Sequence, residues 1–130
     1  MGCTTRASRW LAQADEIALV CSDAEAEQQG ACLVAMMQFL RGHQDMGASA
    51  EARAARFLSV DAYADAALAL LPPRCASMIS QAGRGGLACA SVRLDGCSGP
   101  EATATARTPA LALVAAYAQA LVEAELSLAA

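Results

Sequence analysis

The stretch that decides the fold runs from Arg74 to Ala106 and reads RCASMISQAGRGGLACASVRLDGCSGPEATATA. Its first two apolar runs, residues 74–80 and 87–94, flank a glycine-rich connection, which is typical of a β-hairpin. In the second run Ser91 and Arg93 fall on one face, and alternate apolar residues share the other: Ala88, Ala90, Val92 and Leu94. Asp95-Gly96 is a turn pair, and alanine then alternates with threonine through residues 101–106. The stretch therefore predicts three short strands.

A helix is predicted on each side of these strands. Residues 60–71 place apolar side chains on one helical face, and Pro72-Pro73 ends that helix because neither proline donates a backbone hydrogen bond. After the strands, Thr108 supplies a capping hydroxyl and Pro109 suits the first helical position, so a helix is predicted over 109–128. We expect the strands to be clasped between these two helices.

The N-terminal part of the chain has the pattern of a helical hairpin. The first apolar stripe recurs at three- and four-residue steps: Trp10, Leu11, Ala14, Ile17, Ala18 and Cys21. Ser22 and Glu25 have capping-box spacing, which predicts that a second helix begins there and continues to about Arg41. The methionines of this second helix indicate core packing, although a soft ligand groove is the alternative.

These elements predict an α+β fold, with a small three-stranded antiparallel sheet covered by helices and an added N-terminal helical hairpin. The polar segment 42–49 contains two glycines and reads as a linker. Ser49 is the expected cap of the short helix that follows. We accordingly predict a helical segment over 1–48 and an α-β-β-β-α domain over 49–130, packed as one unit.

Composition narrows the classes of partner. The 130 residues are 56% hydrophobic and carry a net charge of −4, and about a quarter of them are alanine. Nucleic-acid binding needs a cationic surface, and aromatic residues for stacking make up only 4% of the chain, so direct nucleic-acid binding is not expected. Thr108–Val122, the longest uncharged stretch near either end, is shorter than the ~20 residues that cross a bilayer. We expect no signal peptide, no membrane contact and a cytoplasmic location.

Candidate chemistry is sparse in this sequence. The loop 83–86 (GRGG) lacks the spacing and the lysine of a phosphate-binding loop, and the single histidine, His43, lies in the linker. Asp61 and Asp65 stand four residues apart on the predicted helix, where a solvated acidic face is the ordinary interpretation. The six cysteines include no CxxC pair, so we interpret them as reduced, mostly buried thiols. We expect no cofactor, no metal and no catalytic residue.

Two runs resemble a known family. SVDAYADAALALLP (residues 59–72) and ARTPALALVAA (residues 106–116) resemble the first helix and the closing helix of the small phage "ABA sandwich" domain proteins. The resemblance covers about 57–123 and implies a short sheet between the two helices. It also implies a phage or prophage origin, hence a bacterial host cell, and it carries no assigned activity.

The sequence therefore favours a non-enzymatic phage or prophage accessory protein that binds a host or phage protein. One subtype is an inhibitor of a host defence such as CRISPR interference. The candidate contact residues are the charged ones on the hairpin and on the acidic helix: Arg84, Arg93, Asp61 and Asp65. One alternative is a thiol-dependent enzyme or redox sensor that uses Cys75, Cys89 or Cys97. Another is a self-associating structural module, a homodimer through the helices of residues 10–40.

Overall fold

A computed structural model describes residues 2–42, 46–82, 86–96 and 99–129, with side chains described from residue 9 to residue 126. The elements, in chain order, are α1 (Gly2–Asp23), a 3-10 turn (Ala26–Gln28), α2 (Gln29–Gly42), α3 (Ala48–Ser59), α4 (Tyr63–Leu70), β1 (Ala76–Gln81), β2 (Ala88–Arg93), β3 (Glu101–Ala106) and α5 (Pro109–Ala129). The predicted α+β class is confirmed. The division at residue 48 stays a prediction, and the described N-terminal helices contribute to the same buried cluster as the strands.

The strands form one antiparallel sheet in the order β1-β2-β3. One face of β2 and β3 consists almost wholly of alanine and is buried; its members are Ala88, Ala90, Val92, Ala102, Ala104 and Ala106. The side chains between them point to the other face, as the two-residue period of a strand requires. The alternation read from the sequence is therefore confirmed in β2 and β3.

Helix α5 is the centre of the core and lies against the buried face of β2 and β3. Leu111, Leu113 and Tyr117 are almost completely buried, and the alanines between them are buried as well. Thr108 Oγ1 accepts a hydrogen bond from the amide of Leu111 at 3.2 Å, which confirms the predicted cap. Small side chains on both helix and sheet let the two backbones approach closely.

The prediction that the strands are clasped between two helices is wrong. Helix α4 packs against α3 and α5, with Ala66, Ala67 and Leu70 buried, so it joins the helical layer over one face of the sheet. The other face presents mostly polar and charged side chains, and its exposed Met78 alone gives too little apolar surface for α4 to bury. Among the described elements, helices therefore cover one face of the sheet only.

The junction between α1 and α2 differs from the predicted capping box at Ser22. Helix α1 continues to Asp23, and the 3-10 turn begins after Glu25, whose amide donates to Gln28 Oε1 at 2.8 Å. Arg107 Nη1 donates to the carbonyl oxygens of Asp23 and Ala24, at 2.8 and 3.1 Å. This guanidinium satisfies acceptors that the end of α1 leaves open, so a contact distant in sequence sets the helix end.

The helical hairpin is otherwise as predicted. The rings of Trp10 on α1 and Phe39 on α2 stack with centroids 5.4 Å apart. The methionines Met36 and Met37 are buried, in agreement with core packing. Helix α3 begins earlier than predicted, with Gly47 rather than Ser49 as its N-cap.

By length and composition, one described helix could cross a membrane: α5 over Pro109–Leu126, with mean hydropathy 1.3. The sequence predicts no membrane span, because its uncharged stretch ends just before Glu123 and is shorter than the ~20 residues that a bilayer requires. More than half of this segment is buried against the sheet and the neighbouring helices. A core helix has the same composition, so the finding is weak evidence for a membrane span.

Candidate interaction surface

The uncovered side of the sheet presents three rows of side chains, which we call the open face. Directly paired residues of antiparallel strands point to the same side, so the register defines each row. The rows are Ala76–Arg93–Glu101, Met78–Ser91–Thr103 and Ser80–Cys89–Thr105. The residues that β1 and β3 contribute are exposed and those of β2 are partly buried between them.

Two of the rows are held by cross-strand polar contacts. Arg93 Nη2 lies 3.1 Å from Glu101 Oε1, and both side chains remain substantially exposed. The hydroxyl oxygens of Ser91 and Thr103 lie 2.9 Å apart. An exposed ion pair of this kind contributes about 0–1 kcal/mol, so its main effect is to orient the polar groups on the sheet.

An exposed methionine lies among these polar groups. Met78 is 73% exposed, and it lies beside a shallow depression of about 270 Å³ that Ala76, Ser91, Arg93 and Glu101 also line. A methionine side chain is flexible and polarizable and adapts to different contacting shapes. The open face thus combines fixed polar groups with one adaptable apolar group.

The predicted contact residues fall in different places. Arg93 lies on the open face, and Arg84 lies outside the described residues. Asp65 is in the first turn of α4 and Asp61 precedes that helix, so both belong to the helical layer.

The pairing of Asp61 with Asp65 on one helical face is wrong. Asp61 has a φ of 58° in the turn between α3 and α4, a left-handed conformation that a helix does not continue through. The hydroxyl of Tyr63 donates to Asp61 Oδ1 at 3.0 Å. This hydrogen bond, with smaller contributions from burial and the negative charge, raises the pKa of Tyr63. Asp61 therefore shapes a turn.

Sequence reasoning missed most of the open face. It placed Ser91 and Arg93 on one side of β2, but it did not identify Met78, Glu101 and Thr103 as their neighbours. The available signal was the strict alternation of Thr with Ala in β3. That signal assigns a side chain to a face but does not say which residue of the next strand lies opposite.

Two of the described thiols, Cys21 and Cys75, lack the environment of a reactive cysteine. Cys75 is partly buried, and burial raises its pKa, with a further contribution from the charge of Asp95. Burial also raises the pKa of Cys21, and its neighbour Cys32 adds to the effect. A nucleophilic thiolate needs its pKa lowered by cationic groups or a helix N-terminus. Cys89 lies on the open face, and Cys97 lies outside the described residues.

We expect slow thiol modification as a result. At neutral pH, pulse alkylation with iodoacetamide followed by peptide mass spectrometry should show Cys75 reacting more slowly than in the urea-unfolded chain. Cys21 and Cys32 should react more slowly still because both are buried. The unfolded chain serves as the control for intrinsic reactivity. Rapid alkylation of native Cys75 would contradict this expectation and favour the thiol-dependent alternative.

A second concavity lies between α1 and α2. It has a volume of about 470 Å³, and Ile17, Val20, Cys21, Cys32 and Phe39 form much of its lining. Its described rim is mainly amide and carboxylate side chains, so the groove offers apolar contact without a cluster of charges. Across the described parts of the chain, no three His, Cys, Asp or Glu residues lie close enough together to hold a metal ion.

Comparison of this chain with protein-family models, with curated proteins and with solved structures finds no match. The resemblance to the phage family therefore stays a prediction. A functional proposal for this protein rests on the geometry of its own surfaces and on that predicted resemblance.

Proposed function

We propose that the protein is non-enzymatic and acts by binding another protein through the open face. The observation that carries this proposal is an uncovered sheet face, two of whose rows are held by cross-strand polar contacts beside the exposed Met78. The polar groups of these two rows can form hydrogen bonds to a partner with little further loss of side-chain freedom, which favours association.

A protein partner suits this surface better than a nucleic acid. The described cation on the open face, Arg93, is paired with Glu101, so the face offers no excess positive charge to phosphates. The chain as a whole carries a net charge of −4. An acidic protein associates fastest with a partner that has a cationic patch, because opposite potentials steer the encounter.

The biological setting of this activity is part of the same proposal. We propose a phage or prophage accessory protein in the cytoplasm of a bacterial host, on the basis of the resemblance in residues 57–123. Inhibition of a host defence such as CRISPR interference fits the chemistry, since an acidic inhibitor can occupy a cationic nucleic-acid channel.

The test is affinity capture from a bacterial host lysate with a matched pair of variants. Thr103→Arg places a bulky cation in the central row of the open face, whereas Val34→Arg alters an exposed position on α2. We expect a stoichiometric partner that the wild type and Val34→Arg retain and that Thr103→Arg loses. The proposal fails if no stoichiometric partner is captured, or if Thr103→Arg binds as well as the wild type does.

A further inference from the structure

Strand β1 leaves one edge of the sheet uncovered. All six of its residues are exposed, and the described strands pair with it only through β2. Its sequence, ASMISQ, contains no charge and no proline. Proteins usually protect an edge strand with lysine, proline, a bulge or a covering element, because free backbone groups template pairing with another strand. Among the residues that the structure describes, none of these devices protects β1.

The hydrogen bonds of the sheet show which backbone groups point outward from β1. The amide of Ala82 donates to the carbonyl oxygen of Leu87 in β1–β2 pairing, and the amide of Leu94 donates to the carbonyl oxygen of Pro100 in β2–β3 pairing. In an antiparallel ladder, alternate residues direct their N–H and C=O to opposite sides of the strand. Both hydrogen bonds lead to the same assignment: the even-numbered residues of β1 direct their N–H and C=O groups toward β2. The outward groups therefore belong to Ser77, Ile79 and Gln81.

We propose that a second copy of this chain pairs with this edge, β1 against β1, around a two-fold axis that passes beside Ile79 and is perpendicular to the sheet. In this register Ile79 lies opposite its own equivalent, and Ser77 lies opposite Gln81 of the other copy. Every outward N–H and C=O of these three residues then has a partner. A register centred on Met78 would instead place Gln81 opposite Cys75, whose amide already donates within the turn before β1.

The chemistry of β1 favours a second copy as its occupant. Two chains of charge −4 repel each other, and β1 lets them meet along a strand that places no like charges opposite one another. Ile79 points to the helix-covered side of the sheet, where α5 covers β2 and β3 more than β1. Pairing of two β-branched side chains directly across an antiparallel ladder is itself stabilising.

The proposed pairing produces a closed dimer and does not lead to a longer assembly. The two-fold uses the same surface on both copies, so the pairing is isologous and ends at a dimer. The opposite edge of the sheet, β3, has α1 packed beside it, which leaves it less open to further strands. Both open faces lie on the same side of the joined sheet. The dimer uses a different surface from the partner-binding open face and does not depend on that proposal.

The experiment is sedimentation velocity on the full chain under reducing conditions, with circular dichroism as the check on folding. The wild type should dimerise in a concentration-dependent manner. Ile79→Lys places two cations opposite each other at the axis and should weaken the dimer roughly tenfold or more. Met78→Lys is the matched control, since in this register Met78 lies opposite Ser80, and it should remain dimeric.

A second measurement tests the axis itself. Ile79→Lys mixed with Ile79→Glu should restore a dimer that neither variant forms alone at the same total concentration. Ile79→Pro removes an outward N–H without removing a bond to β2, so it should give a folded monomer. A wild type that stays monomeric at high concentration overturns the proposal. A dimer that all the Ile79 variants retain also overturns it and points to association through the helices.

Discussion

Replacing Leu111 with alanine should lower the free energy of unfolding by about 2–5 kcal/mol. Leu111 is completely buried near the start of α5, the helix that packs on the sheet and on α1. Truncation removes apolar surface from the core and leaves a cavity that the neighbouring alanines are too short to fill. Urea unfolding followed by circular dichroism measures the change through its midpoint and slope.

The matched control is Leu126→Ala in the same helix. Leu126 is about half exposed, so its truncation should cost less than about 1 kcal/mol. The comparison also tests whether the apolar residues of α5 are explained by burial in the core. In a core helix the two positions differ strongly in their effect, because one is buried among side chains and the other faces solvent. Equal effects of the two substitutions would contradict the packing of α5 described here.

The strands and the closing helix could be predicted because their signals are local. Alternating alanine in β2 and β3 assigns each side chain to a face, and Thr108-Pro109 fixes a helix start through capping and a preset φ. These features need no knowledge of the rest of the chain. Strand β3 consequently has the bounds that its Thr-Ala alternation predicts, and α5 begins at the predicted proline.

The errors occur where a local signal competes with a distant contact. Ser22 and Glu25 have capping-box spacing, but Arg107 binds the carbonyls at the end of α1 from more than eighty residues away in sequence. The rules for helix ends consider only residues close in sequence, so they do not include that arginine. The turn at Asp61 was missed for a related reason. The apolar positions of residues 60–71 continue a helical period through it, whereas the backbone at Asp61 is left-handed.

The candidate surface was less predictable than the fold because it depends on strand register. The buried faces of β2 and β3 are made almost entirely of alanine, so a shift by two residues would bury much the same side chains. Sequence alone therefore does not pair Ser91 with Thr103 or Arg93 with Glu101. Strand β1 has no buried face at all, so alternation could not show that it lies at an open edge.

Replacing Ala90 with leucine should lower the free energy of unfolding by about 1–3 kcal/mol. Ala90 is buried in the central strand, on the face that α5 covers, and lies opposite Ala104. With alanine on the sheet and on the helix, the two layers are too close to accept a larger side chain in a relaxed rotamer. The added atoms must push α5 away or twist the strand, and either change loosens the surrounding core.

Thr103→Leu is the control for this substitution, and urea unfolding is again the measurement. Thr103 belongs to the neighbouring strand but points to the open face, where a leucine meets no opposing layer. It loses the hydroxyl contact to Ser91, an exposed pair, so we expect a change within about 1 kcal/mol. If Ala90→Leu instead left the protein as stable as the wild type, the helix and the sheet would have spare volume between them. In that case the many alanines of α5 and the sheet would follow only from the alanine-rich composition of the chain. They would not be required by a close approach of the helix to the sheet.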